Sequence, residues 1–213
     1  PAPEMQKDAA PAANYRLPLN AEKIVRLEPA FHDNLWGGTR LRDLYGKKCD
    51  YQQIGESWEL TVREGDCSLI ENGAYRGSSL AALLSDFKED LLGTTPLVNG
   101  RFPLLIKLID AKKDLSVQVH PEDAYALENE GEYGKTEMWY ILDCEEGASL
   151  YYGFSKDVTK EEYRGAIENN TLTEILTQVP VHPGDVFFMP AGTVHAIGAG
   201  ILSCEIQQNS NST

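Results

Sequence analysis

The chain has 213 residues, 42% of them hydrophobic, with 19 Lys and Arg against 33 Asp and Glu, a formal net charge of −14. That length suits one large domain or two small ones, with enough apolar content for a sizeable core. The acidic balance argues against nucleic-acid partners and against an anionic membrane surface, and no apolar run approaches the ~18 residues of a transmembrane helix. Cys49, Cys67, Cys144 and Cys204 stand far apart with no CxxC pair, so reduced thiols and a cytoplasmic location are expected.

Residues 1–14 hold five Ala and three Pro without apolar periodicity, and they lack the charged start and hydrophobic middle of a signal peptide. They read as a disordered tail or cloning remnant. Trp36-Gly37-Gly38 and Tyr45-Gly46 mark turns. Residues 54–62 read as a strand, and residues 78–85 as a short helix, because Leu80, Leu83 and Leu84 recur at helical spacing after a serine. Residues 102–109 are nearly all apolar apart from one lysine, the pattern of a strand buried on both faces. Residues 115–120 alternate, with Leu115, Val117 and Val119 pointing one way and Ser116, Gln118 and His120 the other, which predicts a second strand. A helical turn is expected over 122–128, strands over 136–143 and 149–152, and helices over 159–169 and 171–177. Three short strands follow at 185–189, 193–197 and 201–207. Many closely spaced strands predict a mainly β (α+β) fold, a barrel or sandwich with short inserted helices, in one domain over residues 15–213.

Four histidines are present, and their scarcity makes their neighbours informative. On a strand, Gln118 and His120 share one face about 6–7 Å apart at the backbone, close enough to converge on one ion. Glu137 starts the next strand, and His195 follows Gly184, Pro190 and Gly192 at set intervals. An amide oxygen, two imidazoles and a carboxylate form a mixed N/O set suited to zinc, with manganese, iron or cobalt also possible. Gln118 alone reads as a buried amide, and Glu137 alone as a partner of Lys135. His32 and His182 read as surface or loop histidines.

The run Gly184-Asp185-Val186-Phe187-Phe188-Met189-Pro190-Ala191-Gly192-Thr193-Val194-His195 resembles the second motif of the cupin superfamily. Leu115-Ser116-Val117-Gln118-Val119-His120-Pro121 and Gly134-Lys135-Thr136-Glu137-Met138-Trp139-Tyr140 narrow the resemblance to the type I phosphomannose isomerases. Gly55-Glu56-Ser57-Trp58-Glu59 and Trp36-Gly37-Gly38 fit the same family, over a stretch from about Leu27 onward. The resemblance implies a cupin-type jelly-roll β-barrel and zinc-dependent interconversion of mannose 6-phosphate and fructose 6-phosphate. It implies one zinc ion on Gln118, His120, Glu137 and His195, and substrate-site roles for Ser116, Lys107, Lys135 and Glu205. Family members carry a Tyr-Arg after the position of Thr213, with a catalytic arginine, and then a second β-rich domain.

Such an isomerase needs a general base, for which Glu205 is the candidate, since alternation places Ser203, Glu205 and Gln207 on one face of their strand. Lys135 is the candidate acid or oxyanion partner. Lys107 sits inside an apolar run, where an ammonium must be paired or line a wet cavity, and Ser116 could donate to a phosphate. Lys107, Lys112, Lys113 and Lys135 together predict a basic pocket on an acidic body. A sugar phosphate is the expected partner, bound by a monomer or homodimer. Two other readings compete: another cupin metalloenzyme such as an iron dioxygenase, and a non-catalytic metal-binding sugar-phosphate sensor.

Overall fold

Successive side chains of a strand point to opposite faces, and burial alternates along much of the three longest strands accordingly. The computed structural model describes residues 24–95, 97–98 and 100–213, so the tail expected over residues 1–14 lies outside the described residues. In chain order the elements are β1 (Leu27–Glu28), β2 (Ala30–His32), α1 (Arg40–Asp43), β3 (Glu56–Leu60), β4 (Leu69–Ile70), α2 (Leu80–Leu92) and β5 (Leu104–Ala111). They continue with α3 (Asp123–Asn129), β6 (Glu137–Cys144), β7 (Ser149–Phe154), α4 (Lys160–Glu168), β8 (Leu176–Pro180), β9 (Val186–Met189), β10 (His195–Ile197) and β11 (Ile201–Gln208).

A six-stranded sheet of order β2-β3-β5-β11-β6-β9 faces a three-stranded sheet of order β10-β7-β8, and every pairing is antiparallel. Ile109, Trp139, Ile141, Met189 and Ile201 from the larger sheet pack with Leu150 and Ile197 from the smaller one into a shared core. The outer face of the larger sheet is covered by Leu41 and Ile54, which bury Leu202. On α2, Leu80, Leu83, Leu84 and Phe87 form an apolar stripe against Ile70, which carries the expected helix past residue 85 to a kink at Lys88, where the backbone leaves helical geometry. This is the mainly β, cupin-type architecture expected from the sequence. The four cysteines are free thiols, and among the described residues no helix is long and apolar enough to cross a membrane.

Two expected elements differ. The strand predicted over residues 115–120 is an irregular extended segment. Leu115 N–H donates to Ile197 O at 3.0 Å, whereas Gln118 exchanges both backbone bonds with His195 at 2.9 Å. Three residues of advance on one side meet two on the other, and the ladder breaks as in a bulge. The helix expected over 171–177 is a single 3₁₀ turn (Leu172–Ile175) that runs directly into β8. There the pairing of Gln178 with Tyr151 and of Val179 with Leu150 overrides the local helical spacing. By contrast, α4 starts as predicted: the Thr159 hydroxyl accepts from Glu162 N–H while the Glu162 carboxylate accepts from Thr159 N–H.

Candidate metal centre

At one end of the sandwich the inner-face residues turn from apolar to polar. Cross-strand register aligns Trp58 on β3, Lys107 on β5, Glu205 on β11 and Trp139 on β6 as one row across four strands. Lys107 Nζ lies 3.2 Å from Glu205 Oε1, 3.7 Å from Glu56 Oε2 and 5.2 Å from the centre of the Trp58 ring. The Trp139 indole N–H donates to Glu205 Oε2 at 3.0 Å, and that of Trp58 to Glu56 Oε2 at 2.6 Å. Lys107 is 8% exposed and Glu205 5%. Burial disfavours the Lys107 ammonium, but Glu205 and Glu56 outweigh it and raise its pKa above the usual lysine value. Burial also raises the Glu205 carboxyl above its ordinary range, against the opposing pull of Lys107. That is the direction a proton-shuttling carboxyl needs.

Beside this row, His120, Glu137 and His195 each offer a ligand atom, all within 4.8 Å of one another. His120 Nε2 is 3.2 Å from Glu137 Oε1, and His195 Nε2 is 3.5 Å from Glu137 Oε2. The other ring nitrogens face backbone carbonyls, His120 Nδ1 at 3.1 Å from Ser212 O and His195 Nδ1 at 2.8 Å from Thr193 O. A carbonyl oxygen only accepts, so each Nδ1 carries a proton, and in the neutral form of the ring Nε2 turns its lone pair toward the carboxylate. Burial lowers the pKa of His195 despite the charge of Glu137, which favours its neutral form. His120 Nε2 is buried without a hydrogen bond. Lone pairs set against carboxylate oxygens repel unless a cation lies between them. Burial pushes the Glu137 carboxyl up, yet the hydrogen bond and charge of His120 and the charges of Lys135 and His195, with both rings in their protonated form, prevail and hold it at about 2. Two neutral imidazoles oriented through their second nitrogens, together with one ionised carboxylate, fit a divalent transition metal.

Two glycines bring these groups together. Gly192 has φ +85°, a conformation that L side chains rarely adopt, and its N–H donates to His120 O at 2.8 Å. A Cβ on Gly134 would come within 2.6 Å of Pro121 O, so only glycine lets the strand carrying Glu137 close on the segment carrying His120.

The structure brings together most of the residues expected at the site. Gln118, opposite His195 in the bridge pair, lines a cavity of about 280 Å³ together with Ser116, Lys107, Lys135, Glu137, His195 and Glu205. Gln118 Nε2 donates to Ser116 Oγ at 3.0 Å, and Lys135 Nζ sits 3.0 Å from Glu137 Oε1. His182 is exposed as expected, but His32 is a strand residue on β2, half-buried, with its ring 4.4 Å from that of Trp58. The expected basic pocket is not found. Lys112 and Lys113 are exposed and do not line the cavity, and Lys107 and Lys135 face the carboxylates of Glu56, Glu137 and Glu205. Two ammonium groups against three carboxylates make the wall slightly acidic, and a divalent cation would reverse that sign. Glu56, Trp58 and Trp139 had no assigned role. The i, i+2 spacing of Glu56 with Trp58 and of Glu137 with Trp139, which sets each pair on one strand face, was the signal available.

Residues 24–147 match the family model described as phosphomannose isomerase type I, catalytic domain. The chain is 46% identical over 187 residues to mannose-6-phosphate isomerase ManA of Bacillus subtilis, an alignment that covers 87% of this chain and 58% of ManA. It is 43% identical over 187 residues to mannose-6-phosphate isomerase of Streptococcus mutans, covering 88% of this chain and 58% of that protein. The crystal structure of mannose 6-phosphate isomerase from Bacillus subtilis superposes with a TM-score of 0.82 at 41% identity, over 88% of this chain and 59% of that one. The chain thus spans somewhat over half the length of these relatives. With the cupin-type sandwich and the His–Glu–His group already in place, this chain belongs to the type I phosphomannose isomerase family, which it matches over the catalytic domain.

Proposed function

We propose that this chain interconverts mannose 6-phosphate and fructose 6-phosphate through an enediol intermediate, with one zinc ion held by His120, Glu137, His195 and Gln118. The observation that carries the reading is the pair of buried imidazole Nε2 atoms turned onto the two oxygens of one carboxylate, with each Nδ1 engaged by a backbone carbonyl. Zinc bound there would supply Lewis-acid polarisation of the sugar carbonyl and the positive charge that an anionic substrate needs.

The remaining chemistry falls to the chain's own groups. The net change moves one proton from C2 of the open aldose to C1, while the C1 oxygen gains a proton and the C2 hydroxyl loses one. Glu205 takes and returns the carbon-bound proton. Trp139 and Lys107 hold its two oxygens in place, and its raised pKa lets the protonated form persist between the two transfers. Lys135 serves the sugar oxygens as proton donor and as compensating charge. Ser116, at the exposed side of the cavity, has its oxygen occupied by Gln118 and its O–H free to donate to the phosphate.

A coupled assay for fructose 6-phosphate tests this reading. The zinc-loaded chain is expected to turn over mannose 6-phosphate, and Glu205→Gln to lower kcat by about 10²–10⁴-fold with zinc content unchanged. No turnover by the zinc-loaded chain, or full activity in Glu205→Gln, would contradict it.

A further inference from the structure

Gln207 lies on β11 two residues beyond Glu205, so both side chains share the inner face, and its register partner across the sheet is Glu137. Its side chain is 1% exposed and lines the cavity. The Nε2 group donates to Gln208 O at 2.8 Å and to Ser210 O at 3.1 Å, which uses both of its hydrogens. Both partners are carbonyls and can only accept, so the amide cannot be flipped without setting oxygen against oxygen. This leaves Oε1 oriented by the backbone, buried, and without any donor. A buried acceptor without a donor is costly to the fold, and Gln207 belongs to the wall of the cavity into which a ligand's donors would be brought.

We propose that Gln207 is a specificity-determining residue whose Oε1 accepts a hydrogen bond from a non-reacting hydroxyl of the bound sugar phosphate. The inference rests on the isomerase reading and deepens it. The C1 and C2 oxygens change during the reaction and O6 carries the phosphate, so the hydroxyls at C3 and C4 stay available as donors throughout. A site built around such an acceptor discriminates against an analogue that lacks the hydroxyl, because binding then buries the acceptor unpaired.

The test compares mannose 6-phosphate with its 3-deoxy and 4-deoxy analogues by calorimetry on the zinc-loaded chain. The unsubstituted protein should bind one analogue about tenfold more weakly than the parent, as for loss of one neutral hydrogen bond. Gln207→Met, similar in length but without an acceptor oxygen, should weaken the parent and bring the two Kd values within about twofold, at unchanged zinc content. Gln207→Met should leave the Kd of the more weakly bound analogue within about twofold of its value in the unsubstituted protein, which separates loss of the acceptor from general damage to the site. If the unsubstituted chain binds no mannose 6-phosphate, the isomerase reading fails. If it binds, but both analogues match the parent or Gln207→Met keeps the full preference, the role of Gln207 is refuted.

Discussion

The same three strands, β5, β6 and β11, build both ends of the sandwich, and the two ends follow opposite rules. At one end Ile109, Ile141 and Ile201 meet Leu150 and Ile197 in a dry core that needs no partner beyond its own packing. At the other end, positions of the same inward-facing rows carry Lys107, Glu137, Glu205 and Gln207, all less than a tenth exposed. A buried charge is tolerated only when it is paired, and here Lys107 pairs with Glu205 across two strands while Lys135, just before β6, pairs with Glu137 at its start. The apolar end supplies the stability that holds the polar end in a costly arrangement, and the polar end carries the groups to which the proposed chemistry is assigned.

Substitutions can break this division of labour. The largest effect is expected from His195→Ala, which removes one of the two imidazoles: bound zinc and isomerase activity should both fall by at least about 10³-fold, while the fold persists because the dry core is untouched. Metal analysis and a thermal melt of the same sample check both halves of that statement. Next, Lys107→Met strands Glu205 and Glu56 without their shared cation. A loss of about 3–5 kcal/mol is expected near neutral pH from denaturant unfolding, and less at acid pH, where Glu205 takes up a proton. Ile141→Ala at the apolar end should cost about 2–5 kcal/mol through its cavity, yet leave zinc affinity within about threefold of the parent.

The pH dependence of stability sharpens the same comparison. Glu137 has its pKa held at about 2, below the 4.5 of an unperturbed glutamate. Its contribution to stability is therefore fully present above pH 4.5 and is lost as pH falls toward 2. Unfolding of the metal-free protein between those values should show this loss, and Glu137→Gln should flatten it. Ile141→Ala should shift the whole curve without changing its slope.

The two ends also differed in how readily the sequence revealed them. A nearly all-apolar run located β5, short runs between turn residues located β6 and β11, and the alternation of Ser203, Glu205 and Gln207 against Leu202 and Cys204 placed Glu205 on the inner face. His120, Glu137 and His195 were legible because three separate motifs each carried one of them. What stayed hidden depended on register. That Trp58, Lys107, Glu205 and Trp139 form one row follows from how four strands slide against one another, and no local pattern encodes it. The charge of the pocket was misjudged for the same reason. Lys112 and Lys113 are near Lys107 in the chain, but they follow the end of β5 and leave the cavity. The segment at residues 115–120 shows the converse case, since its alternation was real but one extra residue against β10 broke the ladder.

The central claim is that a divalent cation is held where the two histidine lone pairs meet Glu137. The most direct test is an anomalous difference map at the zinc absorption edge from crystals of the chain grown with one equivalent of zinc. The account predicts a single strong peak about 2.0–2.2 Å from His120 Nε2, His195 Nε2 and a Glu137 carboxylate oxygen. Zinc found only on surface carboxylates, with the space between the two imidazoles and Glu137 left without a peak, would contradict it.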